Sequence, residues 1–426
     1  MAALLCPCLC PCLCPAMTDS VPNAPHPASD RASAPQRGSP LEVLWAFLRL
    51  GLSSFGGPVA HIGYFEAELV QRRRWLGAAA YADLVALCQF LPGPSSSQVG
   101  MALGLQRAGL AGGLCAWIGF TLPSALLLIA FAYGIAGHAA LAGSGAVHGL
   151  KVVAVAIVAQ AVWSMARTLC PDRPRAALAL LAALLTLALP SALGQVGAIA
   201  AAGLLGWRGL ALPPSPAAPP AGGSASRVSR TIGIAALALF ALLLFGLPLV
   251  AQATGSPLWA LVDGFFRAGA LVFGGGHVVL PLLQAVVVPS GAVGNAEFLA
   301  GYGLAQAMPG PLFSFAAYLG AVAQGWAGGL LLLAAVFAPG LLLVLGALPF
   351  WERWRGQPAL RAALAGVNAG VVGLLLSALY DPVWTSAIHS RADFGLALAA
   401  FGLLVYGRVS PVAVVALGAA AGWALG

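Results

Sequence analysis

Phe47-Leu48-Arg49-Leu50-Gly51, then Ser54-Phe55-Gly56-Gly57-Pro58, returns 218 positions later as Phe265-Phe266-Arg267-Ala268-Gly269, then Val272-Phe273-Gly274-Gly275. The match continues outward in order. Gln89-Phe90-Leu91-Pro92-Gly93-Pro94 falls on Gln306-Ala307-Met308-Pro309-Gly310-Pro311, and Ala111-Gly112-Gly113 on Ala327-Gly328-Gly329. Pro123 falls on Pro339, and Gly149-Leu150-Lys151 on Gly366-Val367-Asn368. Ordered matches at a nearly constant offset define an internal repeat, and an internal repeat decides the architecture.

The surroundings of these motifs are apolar. Of 426 residues, 60% are hydrophobic and 8% charged, whereas soluble domains carry about 25% charged residues. Several apolar stretches reach the roughly 20 residues that cross a bilayer as a helix. The formal charge of +8 does not indicate nucleic acid, because the arginines stand between apolar stretches. They read as topology determinants, since Lys and Arg favour cytoplasmic loops. The expected fold is therefore an all-α integral membrane protein of two inverted repeats with interrupted or re-entrant helices.

Four regions follow. Residues 1–40 form a Cys/Pro-rich leader, in which Cys6 to Cys14 alternate with Pro and Leu and a Pro/Ala/Ser-rich stretch predicts disorder. Residues 41–207 are the first repeat, 208–258 a Pro-rich loop plus one linker helix, and 259–426 the second repeat. Each repeat holds six apolar segments. An even number of crossings plus one linker starts the second copy from the opposite side, a plan used by secondary transporters. If every segment crosses once, most arginines lie inside, but Arg72-Arg73-Arg74 falls outside. If the first two segments of each repeat, broken at Gly56-Gly57-Pro58 and Pro92-Gly93-Pro94, are re-entrant, the triplet becomes cytoplasmic. Irregular backbone at that depth is tolerated only inside protein or beside a water-filled cavity.

The breaks are also the candidate site. A half-helix restarting at Pro58 or after Pro94 presents unpaired N–H groups and a positive dipole end, which attract anions. The candidate ligands of an oxyanion are Arg49, Gly56, Gly57, Gln89, Ser95, Ser96, Ser97 and Gln98 in the first copy. In the second they are Arg267, Gly274, Gly275, Gln306 and Ser314. The first copy is expected to supply most polar ligands. Intramembrane charges are functional candidates by default, and Arg49 and Arg267 share one repeat position. Proton coupling needs a titrating group, for which His61, Glu66, Asp83 and His277 are the candidates. No nucleotide-binding motif or metal-ligand set is present, so neither cofactor nor metal is expected. An intramembrane enzyme would need a nucleophile and a base at depth, for which only Ser97 with His61 offers itself.

Ser53-Ser54-Phe55-Gly56-Gly57-Pro58-Val59-Ala60-His61-Ile62, Arg72-Arg73-Arg74-Trp75-Leu76 and Gln89-Phe90-Leu91-Pro92-Gly93-Pro94 together resemble the chromate ion transporter family, in its long two-domain form. Phe273-Gly274-Gly275-Gly276-His277 and Met308-Pro309-Gly310-Pro311 are similar to that family's C-terminal domain. The resemblance spans about residues 41–426. It implies export of chromate across the bacterial inner membrane, driven by the membrane potential or a proton gradient, with sulfate as the related substrate. The implied partners are the anion and the lipid bilayer, with no nucleic acid and room for a homodimer.

Overall fold

The computed structural model describes residues 38–55, 57–137, 145–211, 228–273, 276–354 and 357–425, and the Cys/Pro-rich leader lies outside them. The described residues contain helices and no strand. The first repeat comprises α1 (Pro40–Ser53), α2 (Gly57–Phe65, extended by a π-helical stretch to Arg72), α3 (Ala78–Phe90), α4 (Ser95–Gly137), α5 (Gly145–Leu169), α6 (Arg173–Ala188) and α7 (Ala192–Gly209). The linker is α8 (Arg230–Thr254). The second repeat comprises α9 (Pro257–Leu271), α10 (Val279–Val287), α11 (Asn295–Ala307), α12 (Phe315–Ala347), α13 (Pro358–Ala378), α14 (Arg391–Val405) and α15 (Pro411–Leu425). Five helical stretches are long and apolar enough to cross a membrane by themselves. Outward-facing Leu242, Phe245 and Leu249 on α8 suit a lipid surround and would be costly in water.

Helix starts and stops follow local chemistry. Ser39 caps α1, accepting from the Glu42 N–H at 3.1 Å, and Pro40 occupies the first turn, where no N–H is needed. Asp172, Ser191, Ser229 and Ser390 cap α6, α7, α8 and α14 in the same way. On α1 the residues Val43, Ala46, Phe47, Leu50 and Gly51 form one buried stripe against α4. At Gly51 and Gly119 a Cβ would lie under 3 Å from backbone of the opposite helix, so only hydrogen side chains allow this approach.

Helices α4 and α12 are each bent back on themselves. Gly109 has φ 68° and Gly325 φ 69°, each after a residue that has left helical geometry, Ala108 and Gln324. The chain reverses there, so the Gly104 and Gly112 backbones touch, as do Gly320 and Gly328. The second arms of these hairpins run antiparallel past each other. Trp117 meets Phe337 at 5.7 Å between rings, Ile129 packs on Gly329, and the Tyr133 hydroxyl accepts from the Trp326 N–H at 2.9 Å.

Three chain segments close at one end of the molecule. Glu42 at the start of α1 accepts from Trp75 Nε1 (3.2 Å) and from Arg107 (3.1 Å), and the Arg107 guanidinium lies over the Trp75 ring. The pair α1–α2 therefore enters and leaves at the same end, as does α3 with the first arm of α4. Arg72, Arg73 and Arg74 lie at this end. Following the helices onward puts Arg167, Arg173, Arg208, Arg230, Arg353 and Arg408 there too, and Arg391 at the other. At that other end His148 at the start of α5 contacts Asp393 at the start of α14, 2.7 Å apart.

Gly93 (φ 124°) and Gly310 (φ 96°) occupy backbone conformations that side chains strain by about 1–3 kcal/mol. A Cβ on Gly310 would also lie 3.0 Å from Ser124 Oγ. Gly310→Ala is expected to lower the apparent melting temperature in detergent by several degrees. Gly63→Ala, with nothing within 4 Å of its new Cβ, should leave it unchanged.

Candidate functional site

A broken helix in an apolar surround exposes peptide groups that no water can satisfy, at several kcal/mol each. Here each break is satisfied by the other repeat. Gly93 N–H donates to the Val272 carbonyl at 2.6 Å, and Gly310 N–H donates to the Ser54 carbonyl at 2.8 Å. These two bonds join matching positions in opposite order. The second break of each copy is thereby tied to the first break of the other.

Around this joint lies a cavity of about 350 Å³. Its lining includes the restart points Gly57, Pro58, Gly276, Gly310 and Leu312. Polar side chains come from His277 and Gln306 of the second repeat and from Gln160 and Ser164 of α5. No charged side chain lines it among the described residues. His277 is fixed by Tyr302, whose hydroxyl lies 2.8 Å from Nδ1, and the Gln306 amide stands 3.5 Å from the same nitrogen. Gln160 and Ser164 are one turn apart on α5, so one helix face carries both.

The Ser95–Gln98 stretch sits elsewhere. Ser96 Oγ is 3.3 Å from His61 Nδ1, and Gln98 Nε2 donates to the Pro92 carbonyl at 2.8 Å. Ser96, Ser97, Gln98, Ser54 and His61 are all buried. Among the described residues, Ser54 Oγ, His61 Nε2, Ser97 Oγ and Gln98 Oε1 have no hydrogen-bond partner. None of these residues lines the cavity, although Ser54 bonds Gly310, which does. Of the two neighbouring serines, Ser96 rather than Ser97 stands within reach of His61. Ser314 bonds the Ser124 hydroxyl at 2.7 Å. Its repeat counterpart Ser97 is left without that contact because Gly340 stands where Ser124 would.

Several candidate residues stand apart from the cavity. Arg49 is on the exposed side of α1, since the stripe packed on α4 leaves position 49 outside it. Arg267 is held by Asp263 at 2.7 Å and by the Leu244 carbonyl of α8 at 3.0 Å. Neither arginine lines the cavity. Gln89 is exposed on α3, Ser95 is outside the lining, and Asp83 accepts from Trp351 Nε1 at 3.1 Å. Glu66 lies in the π-helical stretch after α2, also outside it. The expectation that the first copy supplies most polar groups fails at the cavity, where His277 and Gln306 belong to the second. Gly57, His277 and Gln306 line the same cavity. Gly56, Gly274 and Gly275 lie outside the described residues. Gln160 and Ser164 were missed because α5 reads as an apolar span, although two polar residues four apart in such a span are a usable signal.

Broken helices joined around a polar cavity, within a bundle of lipid-suited helices, define a multi-pass membrane protein with an internal site. The chain belongs to the chromate transporter family: the model described as Chromate transporter matches residues 41–207 and 259–423. It is similar to the chromate transport protein of Pseudomonas aeruginosa, 30% identical over 422 residues, covering 93% of this chain and 94% of that one. It is also similar to a probable chromate transport protein of Synechococcus elongatus, 28% identical, covering 83% and 87%. The chromate transport protein of Cupriavidus metallidurans is 27% identical, covering 84% and 87%. No solved structure matches the chain.

In a background lacking native cysteines, Gln160→Cys and Ser164→Cys are expected to react readily with a water-soluble maleimide. Val158→Cys, fully buried on the same helix, should not. Equal reactivity at all three positions would show that the cavity is not where the helix face places it.

Proposed function

We propose that this chain is a secondary transporter that carries chromate out of the cytoplasm across the bacterial inner membrane. The observation that supports this most is the convergence of three helix restarts on one cavity that carries no carboxylate. The restarts at Gly57, Gly276 and Leu312 offer N–H donors and positive dipole ends to a dianion. His277, Gln306, Gln160 and Ser164 add neutral donors that replace part of its water shell. A cavity without a fixed cation releases the ion as readily as it binds it, which suits transport better than storage. The names of the relatives, chromate transport proteins, support the same substrate.

The repeats read as inverted, with α1–α2 and α3 plus the first arm of α4 as re-entrant hairpins. The shared meeting of Glu42, Trp75 and Arg107 and the antiparallel passage of α4 and α12 support this. The arginine-rich end then faces the cytoplasm. Access from that end is supported by the difference between the copies. Leu299 and Gly303 of α11 are buried, with the Leu150 carbonyl of α5 against Gly303. The matching Ala82 and Ala86 of α3 are uncovered. At these positions α11 is thus covered by α5, and α3 has no such cover.

Proton coupling would act through His277, which shares the cavity with the substrate, more directly than through His61, Glu66 or Asp83. Every lining group belongs to one chain, so a homodimer would carry two complete cavities.

The test is chromate uptake into inside-out vesicles, with the pH gradient and the potential collapsed separately. A hydrogen bond to a charged group contributes about 1.5–3 kcal/mol, so Gln306→Ala should raise KM by roughly tenfold or more. Accumulation of sulfate but not of chromate would reassign the substrate. An unchanged KM in Gln306→Ala would remove this cavity from the pathway.

A further inference from the structure

The cavity is neutral, but the polar face of α5 does not stop at it. Gln160 and Ser164 line the cavity, and Arg167 stands three positions beyond Ser164 and seven beyond Gln160. That spacing keeps Arg167 on the same helix face, one turn nearer the arginine-rich end. Arg167 is exposed, its guanidinium 5.9 Å from the Trp163 ring, with no ion pair among the described residues. Pro411 at the start of α15 also lines the cavity. Three residues before it stands Arg408, exposed and likewise without an ion pair among the described residues. Arg408 holds a left-handed backbone (φ 50°), a conformation that glycine or asparagine takes at less cost. The nearby acid, Asp172, is already paired with Arg175 at 2.7 Å and so cancels neither charge.

We propose that Arg167 and Arg408 form a cationic rim that draws the dianion from the cytoplasm into the cavity without binding it there. The inference rests on the transport reading and adds two residues to it. Charge at the mouth of a low-dielectric funnel raises the local concentration of counter-ions and speeds their capture. Placing the cations outside the binding volume keeps the bound ion releasable. It also explains how a site without a charged ligand competes for a dianion at low concentration. Steering of this kind acts on capture and is screened by salt, whereas a ligand acts on the bound state and is not.

The experiment measures chromate uptake by inside-out vesicles at low and high ionic strength for Arg167→Gln, Arg408→Gln and the double variant. Arg391→Gln, at the opposite end, is the control. Coulomb attraction between a dianion and one charge about 10 Å away in water gives roughly a three- to fivefold change in KM. The single variants should therefore show KM raised about three- to fivefold at low salt. The double variant should show more, with kcat unchanged. The difference should vanish near 0.5 M salt, where the Debye length falls to about 4 Å. Arg391→Gln should match the wild type throughout. A KM that is unaffected, or raised equally at all salt concentrations, overturns the rim. If the wild type itself moves no chromate, it is the transport reading that fails and not the rim.

Discussion

The structure depends on how it satisfies the peptide groups of its broken helices. In an apolar surround each unpaired N–H costs as much as a large packing defect, so a break survives only with a partner. Gly93 to Val272 and Gly310 to Ser54 supply those partners across the repeat boundary. Neither copy can keep its breaks without the other. The same two bonds bring the restart points together, so the condition for stability and the condition for a central site are one condition.

From that joint a division of labour follows. Ser96 and Ser97, with His61 and Gln98, are enclosed, and Gln98 is tied to the Pro92 carbonyl. Gly57, Gly276 and Gly310 leave room for a cavity whose polar atoms are neutral. Fixed cations are kept off the binding volume. Arg267 is neutralised by Asp263, Arg107 by Glu42, and Arg72 and Arg73 by Glu68. Arg167, Arg208, Arg230 and Arg408 stand at the arginine-rich end.

The architecture was legible because it is written in repeated backbone chemistry. Phe-Gly-Gly and Pro-Gly-Pro recur at one offset, and each recurrence became a break. The Arg72–Arg74 triplet suggested re-entrant hairpins, a reading that the meeting of Glu42, Trp75 and Arg107 supports. Individual side chains were less legible. Arg49 and Arg267 shared a repeat position and looked like a pair around an anion. Yet Val43, Ala46, Phe47, Leu50 and Gly51 already define the face of α1 that packs inward, and position 49 is off it. The two histidines follow their glycines at different distances, and of the two His277 lines the cavity. Gln160 and Ser164 carried no repeat signal, since Ser377 and Asp381 occupy the matching positions. Their role depends on α5 leaning against α11, a tertiary fact that spacing along one helix does not encode.

The central claim is that the two repeats meet break to break around the cavity. Gly276 is placed so that its Cβ would lie 3.8 Å from the Pro58 ring. The most direct measurement is oxidative cross-linking of Pro58→Cys with Gly276→Cys in a chain lacking other cysteines, read with chromate flux before and after reduction. The account predicts a bond that forms readily in the membrane, stops flux, and restores it on reduction. Failure to cross-link in a well-inserted double variant, or full flux with the bond in place, would contradict it.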